Sequence, residues 1–394
     1  MKILVANLGS TSLKYRLFDC SGEEEKLLAR GGFERVCDYS KAINSCLEEL
    51  LSAGHISGEK DLAAVGFKPV IARGVTGCVQ MNEEVLSAME AYCKMAPAHN
   101  PPYITGVRLF AKRMPTTPMV GLFETSFYQW APEAAVRYAV PQEWHDEGVR
   151  RWGFHGASHK FIAERTAELL GRADVAERAR MLYVNKGASP VEKPDLRVVS
   201  CHLGGSSSLS AILNGVAICN SLGMSPQSGL PQNNRVGDLD SFAIPFMMRQ
   251  KGLSLEEIEP ALCEEAGLKG LSCGYNDMRE IAEQATLGDK NAQLAIDVLV
   301  WQARHWLGAC ILQMNGVDAI AFTAGIAENN PLLRAAICRN LENLGIKLDA
   351  QKNSADTSSG EAEISAADSA VKIFVIPTNE ELVIAREVKR FLLN

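Results

Sequence analysis

Residues 196–215, LRVVSCHLGGSSSLSAILNG, decide the fold. They read as a short buried strand, a turn of glycine and serine, and a second strand that returns in alternation. Residues 3–17, ILVANLGSTSLKYRL, repeat the pattern at an offset of 196: Gly9 falls on Gly205, Ser10-Thr11-Ser12 on Ser206-Ser207-Ser208, and Leu13 on Leu209. Such a repeat predicts a duplicated unit, with one hairpin opening each lobe. Glycine lets a backbone approach an anion closely, and successive N–H and O–H groups then face the same oxygens. Two turns of this kind facing each other would clamp a polyphosphate; the plain alternative is a pair of ordinary Gly/Ser hairpins.

A chain of 394 residues exceeds one hydrophobic core, so two domains are expected, and an apolar fraction of 47% fits folded lobes. With 40 basic and 47 acidic residues and a net charge of −7, the chain lacks the basic footprint of a nucleic-acid or membrane-surface binder. The N-terminus runs directly into a strand without a signal-peptide pattern, and the apolar segment 290–315 is interrupted by Asp297 and Arg304. These features predict a cytoplasmic protein. Eleven cysteines without a C-x-x-C pair read as free thiols, and no zinc site is indicated.

Along the chain, helical periodicity at 43–51 precedes a strand at 62–67, and FKPVIARGVTG (67–77) reads as strand plus loop. Asn82 caps a helix running to about Met95; the loop APAHNPP then presents His99 and Asn100, stiffened by prolines. A helix at about 103–113 and a strand at 119–123 lead to Glu124, just past a buried strand, where open α/β sheets place function. Residues 151–171 give a glycine-flanked loop with His155 and His159, then a helix ending at Gly171; 172–195 read as a polar connection. The stretch 221–240 is a long loop with Arg235 as its one cation, a length that usually signals function. Helices follow at 254–266 and 290–315, the second expected to be central and buried. Strand 319–322 exits through TAGIAENNP toward a helix capped by Asn330, a third candidate nucleotide contact. In the last strand and helix, Thr378 and Glu381 have capping-box spacing, which leaves Glu380 for chemistry.

Phosphoryl transfer requires positioning and positive charge more than covalent chemistry. Asn7 and Glu380, both at strand ends, are the candidate oxygen ligands for Mg²⁺; as plain alternatives they are a turn former and a helix-dipole carboxylate. Arg235, Lys14, His155, and Lys68 or Arg73 are the candidate positive or donor groups. His159 and His202 read as structural.

The stretches ILVANLGSTSLKYRLFD, MAPAHNPP, LFETSF, RRWGFHGASH, VVSCHLGGSSSLSAILNG, RVGDLD, AFTAGIAEN and VIPTNEELVIA together resemble the acetate kinase family of the acetate and sugar kinase, actin-like ATPase superfamily, along nearly the whole chain. The resemblance implies that Asn7 and Glu380 help hold Mg²⁺, and that Ser10, Ser12 and Lys14 line the first phosphate loop. It implies that Arg235 and His155 stabilise the transferring group and that His99 lies near the reacting centre. Gly204, Gly325 and Ile326 would border the nucleotide, with Gly205, Ser206 and Asn329 in the same matching stretches; Val70, Phe154 and Pro226 would form the acyl pocket.

Four departures stand out. The family's aspartate after the central strand is Glu124. Its G-H-R-V-V-H-G-G run is G-F-K-P-V-I-A-R-G, so the catalytic arginine falls on Lys68, with Arg73 as a nearby substitute; lysine lacks the planar fork of a guanidinium. The asparagine of the H-L-G-N-G turn is Gly205. The E-G-L-M-M-G-T-R segment reads SGLPQNNR, with Ser228 for the glutamate. In addition, Ala98 stands where the family usually has leucine, which predicts room for propionate or butyrate.

The resulting expectation is an α/β protein of two actin-like, ribonuclease H-like lobes, each a mixed β-sheet flanked by helices. The first lobe would span 1–148 plus 381–394, and the second 149–380. The function implied by the resemblance is Mg²⁺-dependent phosphoryl transfer from ATP to the carboxylate of a short-chain fatty acid, reversible from acyl phosphate and ADP. The resemblance also implies a homodimer through the second lobe, while charge and composition predict no nucleic-acid or membrane partner. The alternatives are a catalytically impaired nucleotide-binding homologue and a kinase with another acceptor.

Overall fold

The computed structural model describes every residue except 23, 98, 356–359 and 394, so Ala98 lies outside the described residues. The first sheet comprises β1 (Lys2–Leu8), β2 (Ser12–Asp19), β3 (Lys26–Glu34), β4 (Leu62–Phe67), β5 (Cys78–Gln80) and β6 (Met119–Leu122), in the order β3-β2-β1-β4-β6-β5. Its inner strands β1, β4 and β6 run parallel and are largely buried on both faces, which requires helices on both sides. The second sheet comprises β7 (Arg197–Leu203), β8 (Ser207–Leu213), β9 (Val216–Asn220), β10 (Ala319–Thr323), β11 (Ala362–Glu363) and β12 (Lys372–Val375), in the order β9-β8-β7-β10-β12-β11. Strand for strand this is the topology of the first sheet, down to the antiparallel edge strand that precedes its partner in sequence. The duplication suggested by the twin hairpins therefore extends to both whole sheets.

The two turns are not identical. Leu8 pairs with Leu13, leaving residues 9–12 in the first turn, whereas Leu203 pairs with Ser207, leaving 204–206 in a tighter second turn.

Several local expectations are corrected. Residues 172–195 contain two helices, Ala173–Arg180 and Leu182–Asn185, whose buried Val175, Ala176, Ala179 and Leu182 form an apolar face too narrow to stand out among the charges. The helix capped by Asn82 ends at Glu90 instead of Met95. The APAHNPP loop gives its last residues to the helix Asn100–Arg113, because proline is tolerated in a first turn. Asn100 is wholly buried and donates to the carbonyls of Ile71 and Met89, both at 2.9 Å, so its role is structural. The helix Lys290–Gln313 is amphipathic instead of central: one stripe (Ala292, Leu299, Ala303, Leu307) is buried while Trp301 is 75% and Leu312 80% exposed. The capping box at the last helix does not form. That helix, Glu380–Leu393, starts later than the box requires; the Thr378 hydroxyl bonds Ser158 at 3.0 Å, and Glu381 pairs with Arg16 at 3.4 Å.

The terminal helix packs Val383, Ile384 and Val388 onto Ile3, Val5 and Val120 of the first sheet. Its other side meets the helix Gly156–Leu169 through a wholly buried pair, Lys160–Glu387 at 3.1 Å. Arg386 adds a bridge from Glu25 (2.7 Å) to Glu164 (2.9 Å). These ties join the two sheets on the side where the last helix runs, and the carboxyl ends of β1, β4, β6 and β7 line a common cleft.

Candidate active site

A cleft cavity of about 370 Å³ collects residues that are far apart in sequence. It is lined by Asn7, Ser12, Lys14, Lys68, Val70, His99, Glu124, Phe154 and His155 from the first half, and by Gly204, Gly205, Ser206, Pro226, Arg235 and Glu380 from the second. Strand ends supply four of them: Asn7 is the penultimate residue of β1, Lys68 follows β4, Glu124 follows β6 and Gly204 follows β7. Both hairpin turns thus open into one space.

Arg73 is not part of it. Its guanidinium pairs with Glu147 at 2.7 Å on the surface, with both side chains more than half exposed, because the chain turns away through the Ala72–Val75 bridge. Ser10 is exposed within the first turn and does not line the cavity. Gly325, Ile326 and Asn329 lie just outside it on the short helix Gly325–Asn329. That helix starts beside the second turn, since a Cβ on Gly204 would stand 3.5 Å from the Ala324 side chain. Asn329 donates its amide to the Gly325 carbonyl at 2.8 Å, within its own helix.

At the centre, the Lys68 ammonium is held between two carboxylates, Glu124 at 3.0 Å and Glu380 closer still. Glu380 is therefore engaged, not free. Burial opposes the charge on Lys68, but Glu124 and Glu380 overcome it and hold the ammonium well above the usual lysine range. Burial raises the Glu124 carboxyl more than Lys68 lowers it. Burial works against the charge on Glu380 too, but Lys68 and His202 outweigh it and hold its carboxyl below the ordinary value. Lysine at 68 and the longer glutamate at 124 meet as a contact pair, so the two departures at these positions are read together.

Mg²⁺ prefers hard oxygens and keeps most of its ligands as water and phosphate. Asn7 Oδ1, which accepts from the Tyr103 hydroxyl at 2.7 Å, and the two carboxylates offer such oxygens. Glu124 Oε2 is buried and has no hydrogen-bond partner. This donor set fits a magnesium ion carried in with a nucleotide, with Lys68 holding the carboxylates otherwise.

Three histidines form the adjoining wall. His155 caps the helix Gly156–Leu169 in a left-handed conformation, φ 58°, which turns its ring toward the cleft. The next residue must be glycine-like, because a Cβ at Gly156 would collide with the Glu124 carbonyl that its N–H bonds at 3.0 Å. The His155 ring stacks on His202, centroids 4.1 Å apart. Burial, with His202, His159, Lys68 and Arg235 adding to it, pushes the His155 imidazole well below its ordinary value, and burial first of all pushes His99 and His202 down to about 4. All three rings are neutral at physiological pH.

A buried chain of 2.8 Å hydrogen bonds runs Ser200–His159–Ser208–His155 Nδ1. Each neutral ring and each hydroxyl has one proton to give, so the chain has one polarity or its reverse. When Ser208 donates to His155 Nδ1, the remaining nitrogen carries the N–H, and a donor is available to an anion in the cleft. His159, placed one helical turn behind His155, is structural, as the sequence implied. His202 is not only structural: it lines the cavity and orients His155.

Arg235 is held by the Pro226 carbonyl at 3.0 Å and Ser206 Oγ at 3.4 Å, both on the cavity wall. The 221–240 loop that carries it has no helix or strand but is pinned by backbone bonds such as Gly237 N to Gln227 O at 2.9 Å. Lys14 reaches the rim while pairing with Glu34 at 3.1 Å, so it is an exposed cation. Sequence reasoning missed Tyr103 and Ser208. Tyr103 faces inward from the first turns of a helix that begins directly after His99, and that position was its only signal; Ser208 was visible in the repeat but not its partner.

Residues 32–386 match the acetokinase family. Acetate kinases of Carboxydothermus hydrogenoformans and Natranaerobius thermophilus are 39% and 36% identical, each alignment covering 100% of both chains. A crystal structure of Porphyromonas gingivalis acetate kinase superposes with a TM-score of 0.85 at 31% identity over 100% of both chains. That of a propionate kinase from Francisella tularensis superposes at 0.83 with 30% identity over 98% of both.

Proposed function

Because the chain belongs to the acetokinase family and is a phosphotransferase with a carboxyl group as acceptor, we propose that it moves the γ-phosphoryl group of ATP, in the presence of Mg²⁺, onto a short-chain fatty acid and runs equally from acyl phosphate and ADP. The observation that carries this reading is the convergence of Lys68, Arg235 and a neutral His155 on one cavity bounded by the two Gly/Ser turns. The acid is already ionised, so its carboxylate is the nucleophile. A carboxylate oxygen forms the new O–P bond in line as the bond to the ADP oxygen breaks, and that oxygen leaves with the electron pair.

In this reading Arg235, His155 through its outward N–H, and Lys68 offset charge on the three equatorial oxygens, while His99 contributes a neutral, partly desolvated wall. Asn7, Glu380 and Glu124 would hold Mg²⁺, which when bound would supply charge neutralisation at the phosphates. The second turn (Gly204, Gly205, Ser206) and the segment with Gly325, Ile326 and Asn329 border the nucleotide; Ser12 and Lys14 border the phosphates from the first lobe, and Ser10 stays outside. Val70, Phe154 and Pro226 receive the acyl chain. Closure of a lobe formed by 1–148 plus 381–394 onto one formed by 149–380 would exclude water.

The exposed Trp301 and Leu312 on the helix Lys290–Gln313 support a homodimer through the second lobe. The cysteines, free among the described residues, support a cytoplasmic location, and no described helix is long and apolar enough to cross a membrane.

Trapping of acyl phosphate with hydroxylamine tests the reading, using Mg-ATP and acids from acetate to hexanoate. Hydroxamate is expected, with a rate maximum at one chain length between acetate and butyrate. The capture of Lys68 by two carboxylates favours the rival reading of a catalytically silent nucleotide binder, which predicts ATP binding but no hydroxamate with any acid.

A further inference from the structure

The second phosphate turn reads Gly204-Gly205-Ser206 where the resembling sequences have glycine, asparagine, glycine, and SGLPQNNR puts Asn233 where they have glycine. One position loses a carboxamide and the other gains one. In the structure these two positions touch.

Asn233 N donates to the Gly205 carbonyl at 3.1 Å, and its own carbonyl accepts from Lys269 N at 2.9 Å, so its backbone is fixed on both sides. Its side chain points back at the turn: a Cβ built on Gly205 would stand 3.4 Å from Asn233 Nδ2 and 3.8 Å from its Cγ, with nothing else within 4 Å. Gly205 does not have a positive φ, so the backbone does not demand glycine there. The space beside it is instead taken by an amide arriving from residue 233. Asn233 Oδ1 is buried with no partner, and among the described residues Nδ2 makes no hydrogen bond either. The orphaned Oδ1 lies on the protein side, while Nδ2 is a donor left unused 3.4 Å from the turn position and open to an anion there. The neighbouring amide shows the contrast: Gln232 is fully engaged, accepting from Ser206 Oγ and donating to the Pro226 carbonyl, both at 2.6 Å.

We propose that Asn233 is a nucleotide-binding residue of this chain, its amide donating to a phosphate oxygen in place of the side chain that Gly205 lacks. This rests on the kinase reading above. The carboxamide function has moved across the turn, and the pair 205/233 acts as one unit that accommodates one amide but not two.

The test uses the full-length protein with four variants: Asn233→Gly, Asn233→Asp, Gly205→Asn, and the double exchange Gly205→Asn/Asn233→Gly. The readouts are ADP binding by calorimetry and KM for ATP and for the acid separately. Asn233→Gly is expected to weaken ADP binding and raise KM for ATP about tenfold, the loss of one charge-assisted hydrogen bond, with KM for the acid unchanged. Asn233→Asp, isosteric but anionic, should weaken ADP binding further. Gly205→Asn alone should also weaken it by crowding, and the double exchange should recover most of the affinity. Circular-dichroism melts identify any variant that fails to fold, and Asn233→Asp, which keeps the shape of the side chain, then decides. The proposal is overturned if Asn233→Gly and Asn233→Asp bind ADP as the wild type does, or if the double exchange is no better than Gly205→Asn. Wild-type hydroxamate formation is recorded alongside, so that failure of this inference is distinguished from failure of the kinase reading.

Discussion

Lys68→Met is expected to lower kcat/KM for acyl phosphate formation by roughly a thousandfold and to destabilise the protein by about 3 kcal/mol at pH 7. Two physical effects add. In the proposed reaction the cleft loses a cation that would offset phosphoryl charge, and preorganised donors of that kind are worth roughly 10²–10³ each. The substitution also leaves Glu124 and Glu380 buried side by side without the ammonium now between them. Methionine matches the length of the lysine stem, so packing is preserved and the charge alone is tested.

The stability loss has a predictable pH sign. Burial already raises the Glu124 carboxyl, and without Lys68 its value rises further. A carboxyl raised in the folded state binds its proton more tightly there than in the unfolded chain, so its folding penalty is absent at low pH and grows as pH rises through the raised value. The Lys68→Met deficit in urea melts should therefore shrink between pH 7 and pH 5. A variant with more than a tenth of wild-type activity, or a deficit independent of pH, would contradict this description of the Lys68 site.

Arg235→Ala is expected to cost at least 10³ in kcat, with little change in KM for either substrate. The side chain is anchored by the Pro226 carbonyl and Ser206 Oγ, which leaves the rest of the guanidinium to face the cavity. Its removal deletes charge stabilisation that matters most in the transition state. Because those anchors are neutral groups, no buried charge is left unpaired, and the melting temperature should change little. Arg235→Lys should restore little, since an ammonium cannot keep the anchor and reach the phosphoryl oxygens together. Initial-rate kinetics with both substrates varied separate this from a binding defect; a rise in KM for ATP with kcat intact would assign Arg235 to nucleotide binding instead.

The parts of this site that the sequence made legible are those written in contiguous signals. The twin hairpins announced a duplication that the two sheets repeat strand for strand, and the strand exits at Asn7, Glu124 and Gly204 were readable as buried runs ending in small or polar residues. The parts that were not legible depend on contacts between distant segments. Arg73 and Lys68 are five positions apart and looked interchangeable, until the turn at 72–75 sent one to the surface and the other into the cleft. Thr378 and Glu381 had the spacing of a capping box, but the helix starts at Glu380 and Arg16 and Ser158 claim the two side chains. His202 sat at a strand end like any core histidine; only the stacking on His155 gives it a place in the site. The helices within 172–195 were hidden because a few buried residues suffice when a neighbouring helix provides the rest of the apolar surface.

The central claim is that the acid's own carboxylate takes the phosphoryl group directly, with no side chain as intermediate carrier, although Glu124, His155 and His99 all line the cavity. Isotope exchange between labelled ADP and ATP tests it most directly, run with Mg²⁺ in the absence and in the presence of acetate and acetyl phosphate. Direct transfer predicts no exchange above background until the acid and its acyl phosphate are added, and rapid exchange thereafter. Exchange at a comparable rate with no acid present would mean that the enzyme itself accepts the phosphoryl group, and would contradict the account.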